Sequence, residues 1–164
     1  MARPLSDQKS TTLPATRTLD LPFPVRLAFE FTFAGKPQAK ERPRLGRGNT
    51  VYTPRSTQEA EARLARFAEQ LVAYKRARQF AGVPLFVQYI FLLERPRSNK
   101  SPFPIVRPDC DNMEKLVNDA LNCVIWDDDS CIIGGMPVKL WSPDGRPRTI
   151  IRVYEVVLDG EGDK

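Results

Sequence analysis

Two groups of aspartates lie close together in a chain that is otherwise basic. Asp109 and Asp111 form the first group, and Asp127, Asp128 and Asp129 follow after a short amphipathic segment. Side chains two positions apart in an extended segment point to the same side, so Asp109 and Asp111 are expected to lie together. Crowded carboxylates repel one another unless a cation, ion pairs or solvent relieve the cost. Because oxygen-rich sites without imidazole suit Mg²⁺ or Mn²⁺, the pattern predicts a divalent-metal site.

Each aspartate also has an ordinary structural explanation. Asp111, with Glu114 three residues later, fits an N-capping arrangement in which aspartate replaces serine or threonine. The three later aspartates fit a solvated turn after a helix. Negative charge at a helix C-terminus opposes the helix dipole, however, and is mildly destabilising unless a cation lies nearby. A metal ion or a lysine would remove that conflict, so the whole set favours a site more than any one residue does.

The segment between the two acidic groups has the period of a helix. Its apolar residues recur every three or four positions and predict a core-facing surface over about residues 112–124. They are Met113, Leu116, Val117, Ala120, Leu121 and Val124. Lys115 lies on a polar stripe, four residues from both Asp111 and Asp119. It forms either an exposed ion-pair ladder or a cation beside a scissile phosphate, where it would neutralise developing charge.

The chain of 164 residues carries a formal net charge of +5, and the positive charge is concentrated in two tracts. Their cations are Lys36, Lys40, Arg42, Arg44, Arg47 and Arg55 in the first tract, and Arg95, Arg97, Lys100 and Arg107 in the second. Such tracts suit contacts with nucleic-acid phosphates around a metal centre. A plain solvated loop is the alternative for either tract.

The remaining composition excludes several kinds of site. The chain has no histidine, which excludes histidine general bases, Ser/His triads and His-ligated zinc. Its cysteines, Cys110, Cys123 and Cys131, form no CxxC pair, so we expect reduced thiols in a cytoplasmic protein. The aspartates beside Cys110 should raise the pKa of its thiol, which makes it a poor nucleophile. No apolar run reaches the roughly 20 residues that cross a membrane, and the N-terminus lacks a signal-peptide core.

Periodicity predicts a single α/β domain over residues 25–158, between tails at 1–24 and 159–164 that have the composition of disordered segments. Alternating apolar residues from Val25 to Phe33 predict the first strand, and a mobile basic loop follows it. A capping box of Ser56 and Glu59 predicts a helix as far as about residue 79. A nearly continuous apolar run over 83–93 predicts a central strand, which the helix at 112–124 follows.

The last two strands are predicted near 131–141 and 149–158, joined as a hairpin by the turn Pro143-Asp144-Gly145. The element order is therefore β-α-β-α-β-β. A strand pair linked by a helix is usually parallel and a hairpin is antiparallel, so we expect a two-layer domain with a mixed sheet. A domain of this size buries a core without disulfides.

Several fixed spacings together resemble the RusA-like endodeoxyribonucleases, the Holliday junction resolvases of bacteria and their prophages. The central motif runs from Pro108 through Asp109-x-Asp111-Asn112, Lys115 and Asp119-Ala120-Leu121-Asn122 to Asp128-Asp129. The similarity covers roughly residues 27–157 and includes GKPQAKERPR at 35–44, Val51-Tyr52-Thr53-Pro54 and Lys139. Cys123 and Cys131 depart from it, because a glycine and a glutamine are common there in the family.

The resemblance implies a Mg²⁺-dependent homodimer in which each subunit nicks one of two opposed strands of a four-way DNA junction during recombination and repair. Mn²⁺ is expected to substitute. By position, the resemblance implies that Asp109, Asp111 and Asp129 are catalytic metal ligands, that Asp128 is a further ligand of less defined role, and that Lys115 is the essential lysine. The DNA contacts are expected from Lys36, Lys40, Arg42, Arg44, Arg47, Arg95, Arg97 and Lys100.

Two other functions stay open at the level of the sequence. A non-catalytic protein that binds branched DNA would keep the basic surface and use the aspartates as caps and ion pairs. A metal-dependent nuclease of another kind would prefer flaps, forks or replication intermediates. Cleavage of a four-way junction, a fork and a linear duplex side by side separates these alternatives.

Overall fold

The computed structural model describes residues 21–75 and 80–157. Most of the predicted tails at 1–24 and 159–164 lies outside these ranges, as does the predicted end of the first helix. The strands are β1 (Val25–Ala34), β2 (Arg44–Leu45), β3 (Val51–Tyr52), β4 (Leu85–Leu93), β5 (Ile132–Trp141) and β6 (Arg148–Val156). The α-helices are α1 (Arg55–Lys75) and α2 (Cys110–Leu121), and a 3-10 turn spans Asp129–Cys131.

Strand β4 is a central strand of a four-stranded sheet with the order β1-β6-β4-β5. It pairs in parallel with β5 and antiparallel with β6, which pairs antiparallel with β1. The connection from β4 through α2 to β5 is the parallel unit that the sequence predicts. Both helices contribute to one core with side chains of β1, β4 and β6. The predicted α/β architecture with a mixed sheet and two helices is therefore confirmed.

The predicted hairpin of the last two strands is wrong. β5 and β6 lie on opposite sides of β4, and the turn between them passes the end of that strand. The backbone N–H of Ser142 donates to the carbonyl of Leu93 at 2.7 Å, which fixes the turn against the last residue of β4. Pro143-Asp144-Gly145 does form the turn, but a turn signal does not specify which strand becomes the neighbour.

β1 buries alternate residues as predicted, although only over its second half. Phe29 and Phe31 are buried and Phe33 is partly buried, and rings in this group contact Phe67 of α1. Leu27 is exposed instead. The pairing of β1 with β6 shifts register between Leu27 and Phe29, and a one-residue shift exchanges the two faces of a strand.

The predicted capping box of α1 is wrong, because the helix begins earlier. It starts at Arg55, and the N–H of Thr57 donates to the carbonyl of Pro54 at 3.0 Å. Ser56 therefore lies inside the first turn. Its hydroxyl donates to the carboxylate of Glu41. The hydrogen-bond partner of Ser56 therefore lies in the first basic tract and not in α1.

The segment predicted as a mobile basic loop contains a small hairpin. β2 and β3 pair antiparallel, with Arg44 opposite Tyr52. The turn between them includes Gly48 and Asn49, both with positive φ. Glycine and asparagine adopt this conformation more readily than other residues, so the tip of the hairpin follows from its sequence.

The core is densest around β4, all nine residues of which are buried. The predicted core-facing residues of α2 are buried as far as Leu121, where the helix ends. Val124 lies beyond that end and is partly buried, so the helix spans 110–121 rather than 112–124. Within the ranges that the structure describes, no helix is long and apolar enough to cross a membrane.

Replacing Ile151 by alanine is expected to lower the free energy of unfolding by about 2–5 kcal/mol, because it leaves a cavity at a site of β6 that is 0% exposed. Ile133 of β5 is 52% exposed, so Ile133→Ala is the matched control and is expected to cost less than about 1 kcal/mol. Urea unfolding followed by circular dichroism measures both variants. Equal losses would contradict the burial described for Ile151.

Candidate active site

The first pair of aspartates lies at the N-terminal end of α2. Asp109 is the N-cap residue, with φ −80° and ψ 145°, and Asp111 lies in the first turn. The capping role predicted for Asp111 is wrong, since the helix begins at Cys110, and the two aspartates do not share one extended segment. The carboxylate of Asp109 makes no capping hydrogen bond. Both aspartates are exposed at a helix end that favours negative charge.

Lys115 pairs with Asp111 and not with Asp119. Its ammonium lies 3.5 Å from Asp111 Oδ2, and the two side chains are 63% and 64% exposed. A pair this exposed stabilises the fold by only about 0.2–0.5 kcal/mol. The ammonium is thus held beside an acidic group and stays accessible to a ligand.

Glu114 is a third carboxyl group beside the pair, and its position in the sequence suggests only a capping role. Burial raises the pKa of its carboxyl above the usual range, and the negative charge of Asp111 raises it further. The group lies against β5, where a Cβ added at Gly135 would come within 2.8 Å of Glu114 Oε1. Burial is the larger cause of this raised pKa, and repulsion from the Asp111 carboxylate is the smaller one.

Tyr89 connects α2 to the centre of the sheet. Its hydroxyl donates to Asn118 Oδ1 at 2.6 Å. Burial strongly raises the pKa of the Tyr89 phenol, and the charges of Glu114 and Asp129 raise it further. The phenol therefore keeps its proton and remains a hydrogen-bond donor to the helix, within the electrostatic reach of both acidic groups.

The later aspartates directly precede β5. Asp128 caps the 3-10 turn that contains Asp129, and its carboxylate accepts the N–H of Ser130 at 2.8 Å. Hydrogen bonds from Ser130 hold the pKa of Asp128 below its usual range. Asp127 and Asp129 are exposed. The alternative explanation, that these aspartates belong to a turn, therefore holds for Asp128, because its carboxylate accepts a hydrogen bond from the backbone of that turn.

The two acidic groups have the donor atoms that suit a hard divalent cation, but in the described residues they do not form a complete set of ligands. Their donors are carboxylate oxygens, the ligands that Mg²⁺ prefers. In the ranges 21–75 and 80–157, no three Asp, Glu, Cys or His side chains are arranged to hold a metal ion. The charge of Asp111 contributes to the raised pKa of Glu114, and a bound cation would offset this repulsion between the two carboxyl groups. The ligand set Asp109, Asp111, Asp128 and Asp129 stays a prediction.

Lys139 of β5 anchors the chain that leads into Asp109. Its ammonium donates to the backbone carbonyls of Val106 and Pro108, the second at 2.9 Å. The Arg107–Pro108 peptide bond between these carbonyls is cis. In the sequence, only the family resemblance singles out Lys139. Its partners could not be read from the chain, because 31 residues separate it from Pro108.

The cysteines near the site are unpaired thiols. Cys110, Cys123 and Cys131 form no disulfide. Burial raises the pKa of the Cys110 thiol, and the charges of Asp111 and Asp109 raise it further against the opposing charge of Lys139. The raised thiol pKa agrees with the prediction that Cys110 is a poor nucleophile.

These elements lie within a segment that matches a known family. The family model for Endodeoxyribonuclease RusA matches residues 34–154, which include α1, α2, both acidic groups and Lys139. The chain belongs to the RusA endodeoxyribonuclease family. No individual curated protein matches the chain significantly. Membership of the RusA family makes the chain an endodeoxyribonuclease of the class that acts on Holliday junctions, with branched DNA as its ligand.

The predicted DNA-contacting residues of this RusA-family chain are exposed cations, with one exception. The exposed set comprises Lys36, Arg42, Arg44, Arg47, Arg95, Arg97 and Lys100. Two of them have protein partners: Arg44 pairs with Glu41 at 2.8 Å, and Arg95 donates to the carbonyl of Asn99 at 3.0 Å. Their exposure suits contacts with phosphates, and those contacts stay predictions.

Lys40 is the exception, because its ammonium lies between two carboxylates. It pairs with Asp119 of α2 and lies 3.7 Å from Glu61 Oε1 of α1. Its backbone N–H also donates to the carbonyl of Asn112 at 2.8 Å. Lys40 therefore joins the basic segment to both helices of the RusA domain. We refer to Lys40, Glu61 and Asp119 as the staple.

Lys40→Met is expected to leave the salt dependence of junction binding close to that of the wild type, because the staple already occupies the ammonium. Arg47→Met, in the β2–β3 hairpin, is the matched control. It is expected to lower the slope of log K against log salt by about 0.9, the value for one phosphate contact. Fluorescence anisotropy of a labelled four-way junction across a salt series measures both slopes. An equal loss for Lys40→Met would show that Lys40 leaves the staple to contact DNA.

Proposed function

We propose that this RusA-family protein is a Mg²⁺-dependent homodimer that resolves Holliday junctions by paired, symmetric nicks in recombination and repair. The observation that carries the proposal is the family match over residues 34–154, which contains Asp109, Asp111, Lys115 and Asp129. The geometry of α2 supports it. Asp109 makes no capping hydrogen bond and Asp111 is not the cap residue, so helix capping does not account for this exposed pair.

Asp109, Asp111 and Asp129 are the proposed ligands of the cation, with Asp128 as a further ligand. When bound, Mg²⁺ lowers the pKa of a water molecule and stabilises the attacking and leaving oxygens of phosphodiester hydrolysis, and Mn²⁺ would substitute. The described part of the chain holds no ready-made group of three such ligands. We therefore expect these side chains to converge only when the cation and the substrate phosphate are both present.

Lys115 is proposed to stabilise the negative charge that builds on the phosphate during cleavage. Its ammonium is largely exposed and lies 3.5 Å from Asp111. Because this pair is exposed and weak, the ammonium can turn from the carboxylate to a phosphate oxygen at little cost. A lysine on the first turns of α2 would then reach the same phosphate as the acidic residues that begin the helix.

The exposed cations are proposed to hold the arms of the junction around this centre. The staple joins the first basic tract to α2, and the second tract lies in the loop that leads from β4 into Asp109. The backbone N–H of Lys40 also donates to the carbonyl of Asn112, in the first turn of α2, so both tracts approach the start of the helix. Contacts of this kind read charge and backbone shape rather than base sequence.

The homodimer is part of the proposal because of the reaction. Resolution needs one nick in each of two opposed strands, and a two-fold dimer supplies one site for each. Size-exclusion chromatography with light scattering measures the oligomeric state. A monomer that still makes paired nicks would contradict this part of the proposal alone.

Asp111→Asn is expected to keep junction affinity near that of the wild type and to lower the cleavage rate by more than about 100-fold. The reason is that a ligand carboxylate is lost while the basic surface is unchanged. Glu59→Gln removes the same charge from an exposed position on α1 and is the matched control. Denaturing gels with saturating protein and Mg²⁺ measure the rate. Near wild-type cleavage by Asp111→Asn would refute the metal assignment.

Substrate choice separates resolution from the alternatives. End-labelled four-way junction, fork and linear duplex are compared with Mg²⁺ and with EDTA, and the junction is expected to be cut fastest, in symmetric pairs and only with Mg²⁺. The exposed cations would also suit a second candidate, a non-catalytic protein that binds branched DNA. Binding without any cleavage product, whatever the metal, would support that candidate. Preferred cleavage of the fork would instead indicate a nuclease of another specificity.

A further inference from the structure

A cleft opens next to the candidate active site, at the carboxyl ends of β4 and β5. Its volume is about 480 Å³, within the range of pockets that hold small molecules. Its lining includes Lys36, Glu94, Pro96, Arg107, Pro108 and Trp141. They come from segments far apart in the chain. The parallel pairing of β4 with β5 brings the carboxyl ends of these strands to the same end of the sheet, and Lys36 follows the end of β1.

The chemistry of the lining fits a nucleotide. Trp141 supplies an aromatic wall, with Pro96 and Pro108 as further apolar surface. Nucleobases stack on aromatic side chains irrespective of their identity, because every base has a π-face. Lys36 and Arg107 bring two positive charges to the same cleft and Glu94 brings one negative charge, so the net charge of the lining is positive and suits the phosphates on either side of a base.

Hydrogen bonds hold the walls of the cleft in place. Trp141 Nε1 donates to the carbonyl of Ser101 at 3.0 Å. On the other side, the ammonium of Lys139 holds the carbonyls of Val106 and Pro108. A wall that is already ordered loses little conformational entropy when a ligand binds, so the cleft is organised to receive a flat group.

The cleft shares a wall with the candidate active site, since Pro108 lines it and Asp109 is the next residue. We propose that the cleft receives one unstacked nucleobase of the branched DNA, next to the phosphate that is cut. This inference rests on the proposed function and extends it to a contact with a base. Bases at the exchange point of a junction are suitable occupants, because unstacking costs least where pairing is already disturbed.

The test combines a change in the protein with a change in the DNA. Trp141→Leu removes the aromatic wall, and an abasic residue is placed in turn at each nucleotide that flanks the exchange point. Dissociation constants are measured in EDTA, so that no cleavage is required. At one position we expect each change alone to weaken binding by about 5- to 150-fold, the range for base–aromatic stacking, and the two changes together to weaken it no further.

Two variants separate stacking from a merely structural role. Trp141→Phe loses the bond to Ser101 but keeps an aromatic ring, so it is expected to restore most of the dependence on the base. Phe103 is an exposed aromatic residue in the loop between β4 and α2, and it does not line the cleft. Phe103→Leu is therefore expected to be additive with every abasic substitution. Thermal melting of each variant shows whether the fold is kept.

The failure of this inference differs from the failure of the proposed function. Additive effects of Trp141→Leu at every abasic position would overturn the inference, even if the junction is cleaved normally. A non-additive position in a protein that never cleaves would uphold the base contact and overturn only the nuclease proposal. A protein that does not bind the junction at all would overturn both.

Discussion

The burial of β4 is the constraint on which the rest of the structure depends. All nine of its residues are buried, and it is paired on both edges, in parallel with β5 and antiparallel with β6. Burying one large apolar side chain contributes roughly 1.5–3 kcal/mol, so this strand anchors the fold. Its parallel partner must be reached through a crossover, and α2 is that crossover. The start of α2, which carries Asp109 and Asp111, is thereby fixed near the carboxyl ends of β4 and β5.

Charge is divided between fixed and available groups. Lys40 lies between Asp119 and Glu61, and this staple locks the first basic tract to the helices. Lys115 and Asp111 form a much more exposed pair, so their charges remain open to a ligand. A lysine in a sequence motif can thus serve the scaffold rather than the substrate, and only its partners distinguish the two roles.

Local sequence patterns predicted the helices and strands, whereas contacts between residues far apart in the chain determine the arrangement of the candidate site. The apolar period of α2 and the continuous apolar run of β4 were sufficient to predict these two elements and their buried residues, because each pattern depends on burial within one element. The hairpin prediction failed because periodicity does not specify which strands become neighbours. The capping-box prediction failed because α1 begins at Arg55, so that Ser56 lies inside the first turn and its hydroxyl bonds to Glu41, 15 residues away. The staple joins Lys40 to a residue 79 positions away, and the cleft beside Trp141 combines several such segments. Rules that depend on local sequence cannot predict contacts between residues so far apart in the chain.

The position of β6 has a consequence for folding. This strand is last in the described chain, yet it lies between β1 and β4, and Arg26 of β1 pairs with Glu155 across 129 residues. β1 has no neighbour in the sheet until β6 arrives, although β4, α2 and β5 form a contiguous unit. Closing so long a loop before its contacts form is costly in entropy, and proteins dominated by distant pairings fold slowly. Completion of the sheet is thus a late, cooperative event that needs nearly the whole described chain.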